Sequence, residues 1–109
     1  MNKDKQTRLE RQGWRVGDAE DFLGLTPEEV ALIDTRLALS RSLRTKRIER
    51  GWSQTALARR LKSSQSRVAK MESADPTVSI DLLLRALYAL GATPRDVARA
   101  LRGAGGQAA

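Results

Sequence analysis

Cysteine and histidine are both absent from this 109-residue chain. Their absence removes disulfides, thiolate nucleophiles, imidazole bases and the usual zinc ligands together. No metal and no cofactor is expected, and a reducing cytoplasm suits the composition. Aromatic residues make up only 4% of the chain. The apolar residues are mostly Ala and Leu, so the core is expected to be small and helical. No stretch approaches the ~20 apolar residues that span a bilayer. Met1-Asn2-Lys3-Asp4-Lys5-Gln6 carries no apolar run, so neither a signal peptide nor a membrane partner is expected. An enzyme's inventory is missing as well. The acidic pairs Glu20-Asp21 and Glu28-Glu29 are sequence neighbours, and neighbours on a helix do not face one another across a pocket. No catalytic residue is assigned.

Positive charge is what the chain does have, and it is concentrated. The net charge is +7. Residues 1–25 balance five basic side chains against five acidic ones. Residues 40–70 set ten basic side chains against Glu49 alone, a net +9. A solvated helical face explains most such runs, but a polyanion is the natural partner of a block this dense.

The same block contains the most ordered pattern in the chain, Ser53 to Glu72. Ser53 can cap a first short helix, because its oxygen accepts from an unpaired first-turn amide. Ala56, Leu57 and Leu61 follow at helical spacing. Lys62-Ser63-Ser64 breaks the helix, and Ser64 can cap a second one. There Val68 and Met71 turn inward, leaving Gln65, Ser66, Arg67 and Lys70 outward. A polar face on a short helix, beside basic residues, is what reading a DNA groove requires. A Gln65 amide can pair adenine N7 and N6, worth about 1–3 kcal/mol of discrimination. Arg67 suits guanine O6 and N7, or the backbone if helical phase turns it aside. Ser53 and Gln54 open a helix whose free amides can receive a phosphate. Arg41, Arg44, Lys46, Arg59, Arg60 and Lys62 are phosphate candidates by charge, and Ser64 by position.

The pattern resembles the helix-turn-helix of the XRE family, the Cro and phage-repressor type. The family's first helix opens Thr/Ser-Gln and runs into Leu-Ala, here Ser53-Gln54 and Leu57-Ala58. Its second reads Ser-Gln-Ser-x-Val-x-x-x-Glu, here Ser64-Gln65-Ser66-Arg67-Val68 through Glu72. The resemblance covers roughly residues 43–90. It implies that Gln54 contacts the backbone and braces Gln65. It also implies that Arg47 pairs with Glu72. The family's buried aliphatic at the position of Trp52 favours a core anchor there over a base-stacking ring. One residue departs: the family usually has Gly at the turn, where this chain has Lys62. At positive φ a Lys costs about 1–3 kcal/mol that Gly would not.

Outside the motif, residues 1–12 read as an arm, and Gly13-Trp14-Arg15-Val16-Gly17 as a turn with two anchors. Asp18 can cap a short helix over Ala19–Leu23. Thr26-Pro27-Glu28-Glu29 is a helix start with cap, first-turn Pro and capping box. No Pro or Gly follows until Gly51, so one helix over Pro27–Arg50 is expected, about 36 Å long. It shows two apolar stripes, Val30, Ile33, Leu37 and Ile48 on one side and Leu32, Leu39 and Leu43 on the other. A helix apolar on both sides is usually buried on both. Ser79 and Thr93-Pro94 open two further helices, the first stopped by Gly91. The expected fold is all-α, a five-helix lambda-repressor-like DNA-binding domain with an N-terminal extension. Residues 1–25 would form the arm and short helix, 26–102 the helix-turn-helix domain with its motif at 53–72, and 103–109 a disordered tail.

Two functions fit. One is a DNA-binding repressor, antitoxin of a type II toxin–antitoxin pair. The chain resembles small HigA-type antitoxins also in Gly13-Trp14-Arg15-Val16-Gly17-Asp18, in Phe22 through Glu29 and in Pro76-Thr77-Val78-Ser79. That resemblance implies a RelE-like toxin partner. The other is a stand-alone regulator. In both, double-stranded DNA is the partner and a homodimer the form that reads it.

Overall fold

The computed structural model describes residues 24–103. The expected arm, the Ala19–Leu23 helix with its anchors Trp14, Val16 and Phe22, and all of the tail but Gly103 lie outside the described residues. Among the described residues there are five helices and no strand. They are α1 (Pro27–Glu49), α2 (Gln54–Arg60), α3 (Gln65–Glu72), α4 (Ile80–Ala89) and α5 (Pro94–Arg102).

Every helix starts on a hydroxyl. Ser53 Oγ accepts from the Ala56 amide, Ser64 Oγ from Arg67, and Ser79 Oγ from Leu82. Thr26 and Thr93 form reciprocal capping boxes with Glu29 and Asp96. Each satisfies two first-turn donors at once. The Thr26 amide, then its hydroxyl, holds the Glu29 carboxyl below its ordinary value. Thr93 does the same to Asp96, again amide before hydroxyl.

The first four helices end alike. Gly51, Lys62, Ala74 and Gly91 stand at positive φ, 71°, 53°, 58° and 90°. The amide just beyond each bonds back into the last turn: Trp52 to Arg47 O, Ser63 to Ala58 O, Asp75 to Lys70 O, Ala92 to Leu87 O. This left-handed stop satisfies carbonyls the helix leaves open. At Gly51 and Gly91 it is unstrained; at Lys62 and Ala74 a Cβ sits where glycine is preferred.

All five helices supply the core: Leu39 and Leu43 from α1, Leu57 from α2, Val68 and Met71 from α3, Leu83 and Leu87 from α4, Val97 from α5. α1 packs against α3, α4 and α5, and α2 against α3. One side chain of α1 and one from the residue that caps its end reach across to close the connections. Arg36 Nη1 donates to Val78 O, and Arg50 Nη2 donates to Leu90 O.

The two-stripe expectation for α1 needs correcting. Leu39 and Leu43 are buried, but Leu32 on their face is 51% exposed. On the other side Val30 is buried outside the core cluster, while Ile48 is 54% exposed. The reason is length. α1 runs about 34 Å at 1.5 Å per residue, while its partners are short helices of 7 to 10 residues. Periodicity assigns a face; it does not say how far the neighbours extend along it.

Candidate nucleic-acid interface

α3 owes its orientation to Val68 and Met71, which are 0% and 1% exposed. Successive side chains turn about 100°. Burying those two therefore centres the outward face on Ser66. Gln65 falls on the flank toward α2, Arg67 on the opposite flank, and Lys70 between Ser66 and Arg67. All four are exposed.

A continuous polar chain links α1 to Gln65. Arg47 Nε donates to Glu72 Oε2 at 2.5 Å, and Nη2 donates to Oε1 at 3.0 Å. Arg47 Nη1 donates to Trp52 O at 2.7 Å. The Arg47 and Glu72 side chains are only 13% and 4% exposed. Gln54 Nε2 donates to the same Glu72 Oε1 at 3.1 Å, and Gln65 Nε2 donates to Gln54 Oε1 at 2.7 Å. A carboxylate at the C-terminal end of a helix opposes the dipole by about 0.3–1 kcal/mol. The bidentate guanidinium offsets that cost and aligns the acceptor that fixes Gln54.

The candidate phosphate residues separate by environment. Arg41, Arg44, Arg59 and Lys62 are exposed. Arg60 is exposed too, but its guanidinium lies 4.6 Å from the Trp52 ring centroid, with Arg50 at 5.4 Å from the same ring. Trp52 also packs against the core. Lys46 lies near enough to Asp96 to contribute to its lowered carboxyl. Ser53 and Ser64 spend their side-chain oxygens on capping, and Ser64 Oγ also lies 3.3 Å from Ser66 Oγ.

Sequence reasoning places a loop at Ala74-Asp75-Pro76 but does not foresee the turn it forms against α3. Asp75 Oδ1 accepts from the Thr77 amide at 2.8 Å and from its hydroxyl at 2.6 Å. An Asp two residues before a Thr is the local signal for such a turn, but it does not tell what the turn faces. Here Thr77 and Val78 face α3 across a recess of about 260 Å³, shared with Ser64, Ser66, Arg67 and Lys70. Among the described residues no group of acidic, His or Cys side chains could hold a metal ion. No described helix is long and apolar enough to cross a membrane.

A family model described as a helix-turn-helix domain matches residues 38–102, more than half of the chain. No curated protein and no solved structure matches significantly.

Proposed function

The chain belongs to the helix-turn-helix domain family, of the XRE/Cro-like kind, and from that premise we propose that it is a sequence-specific transcriptional repressor. Residues 26–102 are its DNA-binding unit. The observation that carries the reading is the outward polar face of α3, with Gln65 held by Gln54 at its edge. Gln65, Ser66, Arg67 and Lys70 would lie along the major groove as its candidate base readers. Ser53, Gln54, Arg44, Arg59, Arg60, Lys62 and Ser64 would serve the phosphates. One α3 reads half a site, so a homodimer would set two of them about 34 Å apart along the duplex. Repression would follow from occupancy, with phosphate contacts supplying affinity and the α3 edge supplying sequence.

The test is binding to duplexes selected from a randomised pool, followed by fluorescence anisotropy. Affinity should fall steeply with salt, because released counterions drive phosphate binding. Gln65→Ala should flatten the ranking of base variants, while Arg59→Ala should weaken all alike. The reverse pattern would mean that the reading face has been misplaced.

A finer role, antitoxin to a RelE-like toxin, is supported by the sequence resemblance in residues 13–18, 22–29 and 76–79. Residues 13–18, 22 and 23 lie outside the described residues. A small basic toxin encoded beside this chain, whose lethality the chain suppresses, would support that role. With no such neighbour, the chain acts as a stand-alone regulator.

A further inference from the structure

The recess between α3 and the following turn lies on the flank of the helix away from Gln65. Two cations line it, Arg67 and Lys70, with Ser66 beside Lys70 on the side away from Arg67 in helical phase. The two cations are three residues apart, which makes them neighbours on a helix surface. No carboxylate of the described residues forms an ion pair with either. The far wall is fixed in place. Asp75 takes both Thr77 donors, the Val78 amide donates to Asp75 O at 3.0 Å, and Val78 O receives Arg36. The Asp75 carboxyl is held below its ordinary value by the Thr77 hydroxyl first, then the Thr77 amide, with Lys70 and Arg36 contributing. Its charge therefore tempers Lys70.

An arginine fork and a lysine beside a hydroxyl match a tetrahedral oxyanion with several oxygens to share. They match a flat base edge less well, and Arg67 lies on the flank that faces the Thr77–Val78 turn. We infer that Arg67 and Lys70 together seat one backbone phosphate of the strand bordering the groove, against the Thr77–Val78 turn. Base readout then falls to Gln65 and Ser66. This rests on the DNA-binding reading and divides its four candidate base readers into two pairs with different tasks.

The test uses the full chain, a selected duplex and its single-base variants, with circular dichroism to check folding of each variant. Arg67→Ala should weaken every duplex by a similar factor and leave their ranking unchanged. It should also reduce the log–log salt slope by about 0.9, the contribution of one phosphate. Arg67→Lys should restore most of the loss, and Asp75→Asn should tighten all duplexes alike. A neutral methylphosphonate walked along the backbone should cost the parent affinity at one position where Arg67→Ala is indifferent. A changed ranking at one base pair in Arg67→Ala would overturn the inference, as would a walk that finds no such position. Inorganic phosphate binding that Arg67→Ala abolishes while duplex binding is unaffected would also overturn it, marking a site for a free anion. If the parent binds no duplex even at about 50 mM salt, the DNA-binding reading itself fails and takes this inference with it.

Discussion

Replacing Arg47 by methionine would remove the guanidinium that meets Glu72 twice and Trp52 O once. The stem volume is nearly kept, so the perturbation is electrostatic. Glu72, 4% exposed, would be left with the Gln54 amide at 3.1 Å as its side-chain donor, and the Trp52 carbonyl would lose its side-chain donor. Removing one partner of a buried pair typically costs about 3–5 kcal/mol. For a domain of this size each kcal/mol moves the midpoint by about 4–8 °C, so Tm should drop by roughly 12–40 °C. Thermal melts followed by far-UV circular dichroism would read it. The control is Arg47→Met combined with Glu72→Met. Replacing both members by apolar groups is often near neutral, so the double variant should recover much of the loss. A single variant melting within about 2 °C of the parent would refute the reasoning. So would a double variant worse than the single one, since the damage would then not come from a stranded carboxylate.

Three further outcomes are expected. Lys62→Gly should stabilise the fold by about 1 kcal/mol, because φ there is 53° and glycine carries no Cβ penalty in that region; chemical denaturation would measure it, and a loss of stability would sink the claim. Ser40→Ala should stabilise by about 1 kcal/mol or more, because the Ser40 hydroxyl is buried without a hydrogen-bond partner and an unsatisfied buried hydroxyl is costly; a lower Tm would contradict this. Acid should weaken two helix starts and the Asp75–Thr77 turn. The folded-state values of Glu29, Asp75 and Asp96 are lowered from 4.5, 3.8 and 3.8, so their contribution is full above those values and is lost as pH falls below them. Glu29→Gln keeps a capping-box acceptor and should make the decline of Tm in that acid range shallower; an unchanged acid limb would count against it.

How much of this was legible in advance depended on whether the signal was local. Thr26, Ser53, Ser64, Ser79 and Thr93 all announce helix starts, because a capping oxygen acts within three residues of its donor. Gly51 and Gly91 announce two helix ends for a similar reason. Lys62 is marked only by the glycine that the resembling family carries there, and Ala74 by nothing; both adopt the same left-handed geometry, since the returning hydrogen bonds and the packing of the flanking helices impose it. Arg36 and Arg50 reach carbonyls 42 and 40 residues away, and nothing in their neighbourhood marks them for that. Within the candidate site, periodicity turned Gln65, Ser66, Arg67 and Lys70 outward, but it could not separate the two flanks of α3. That separation depends on Gln54 lying to one side and Thr77–Val78 to the other. The Arg60–Trp52 stack was likewise invisible, because it is set by how α2 docks at the end of α1.

On the proposed reading, in which Gln65 contacts a base, its hydrogen bond to Gln54 limits how a lineage of such proteins could acquire a new target. The nitrogen of residue 65 faces the oxygen of residue 54. A change to glutamate at 65 would set acceptor against acceptor, and Gln54 would have to rotate its amide. That rotation withdraws its nitrogen from Glu72, which Arg47 also holds. A single substitution toward a different base is thus felt back in the first helix. Neutral drift at 54 or 72 would have to come first, or the new preference would arrive together with a weaker fold.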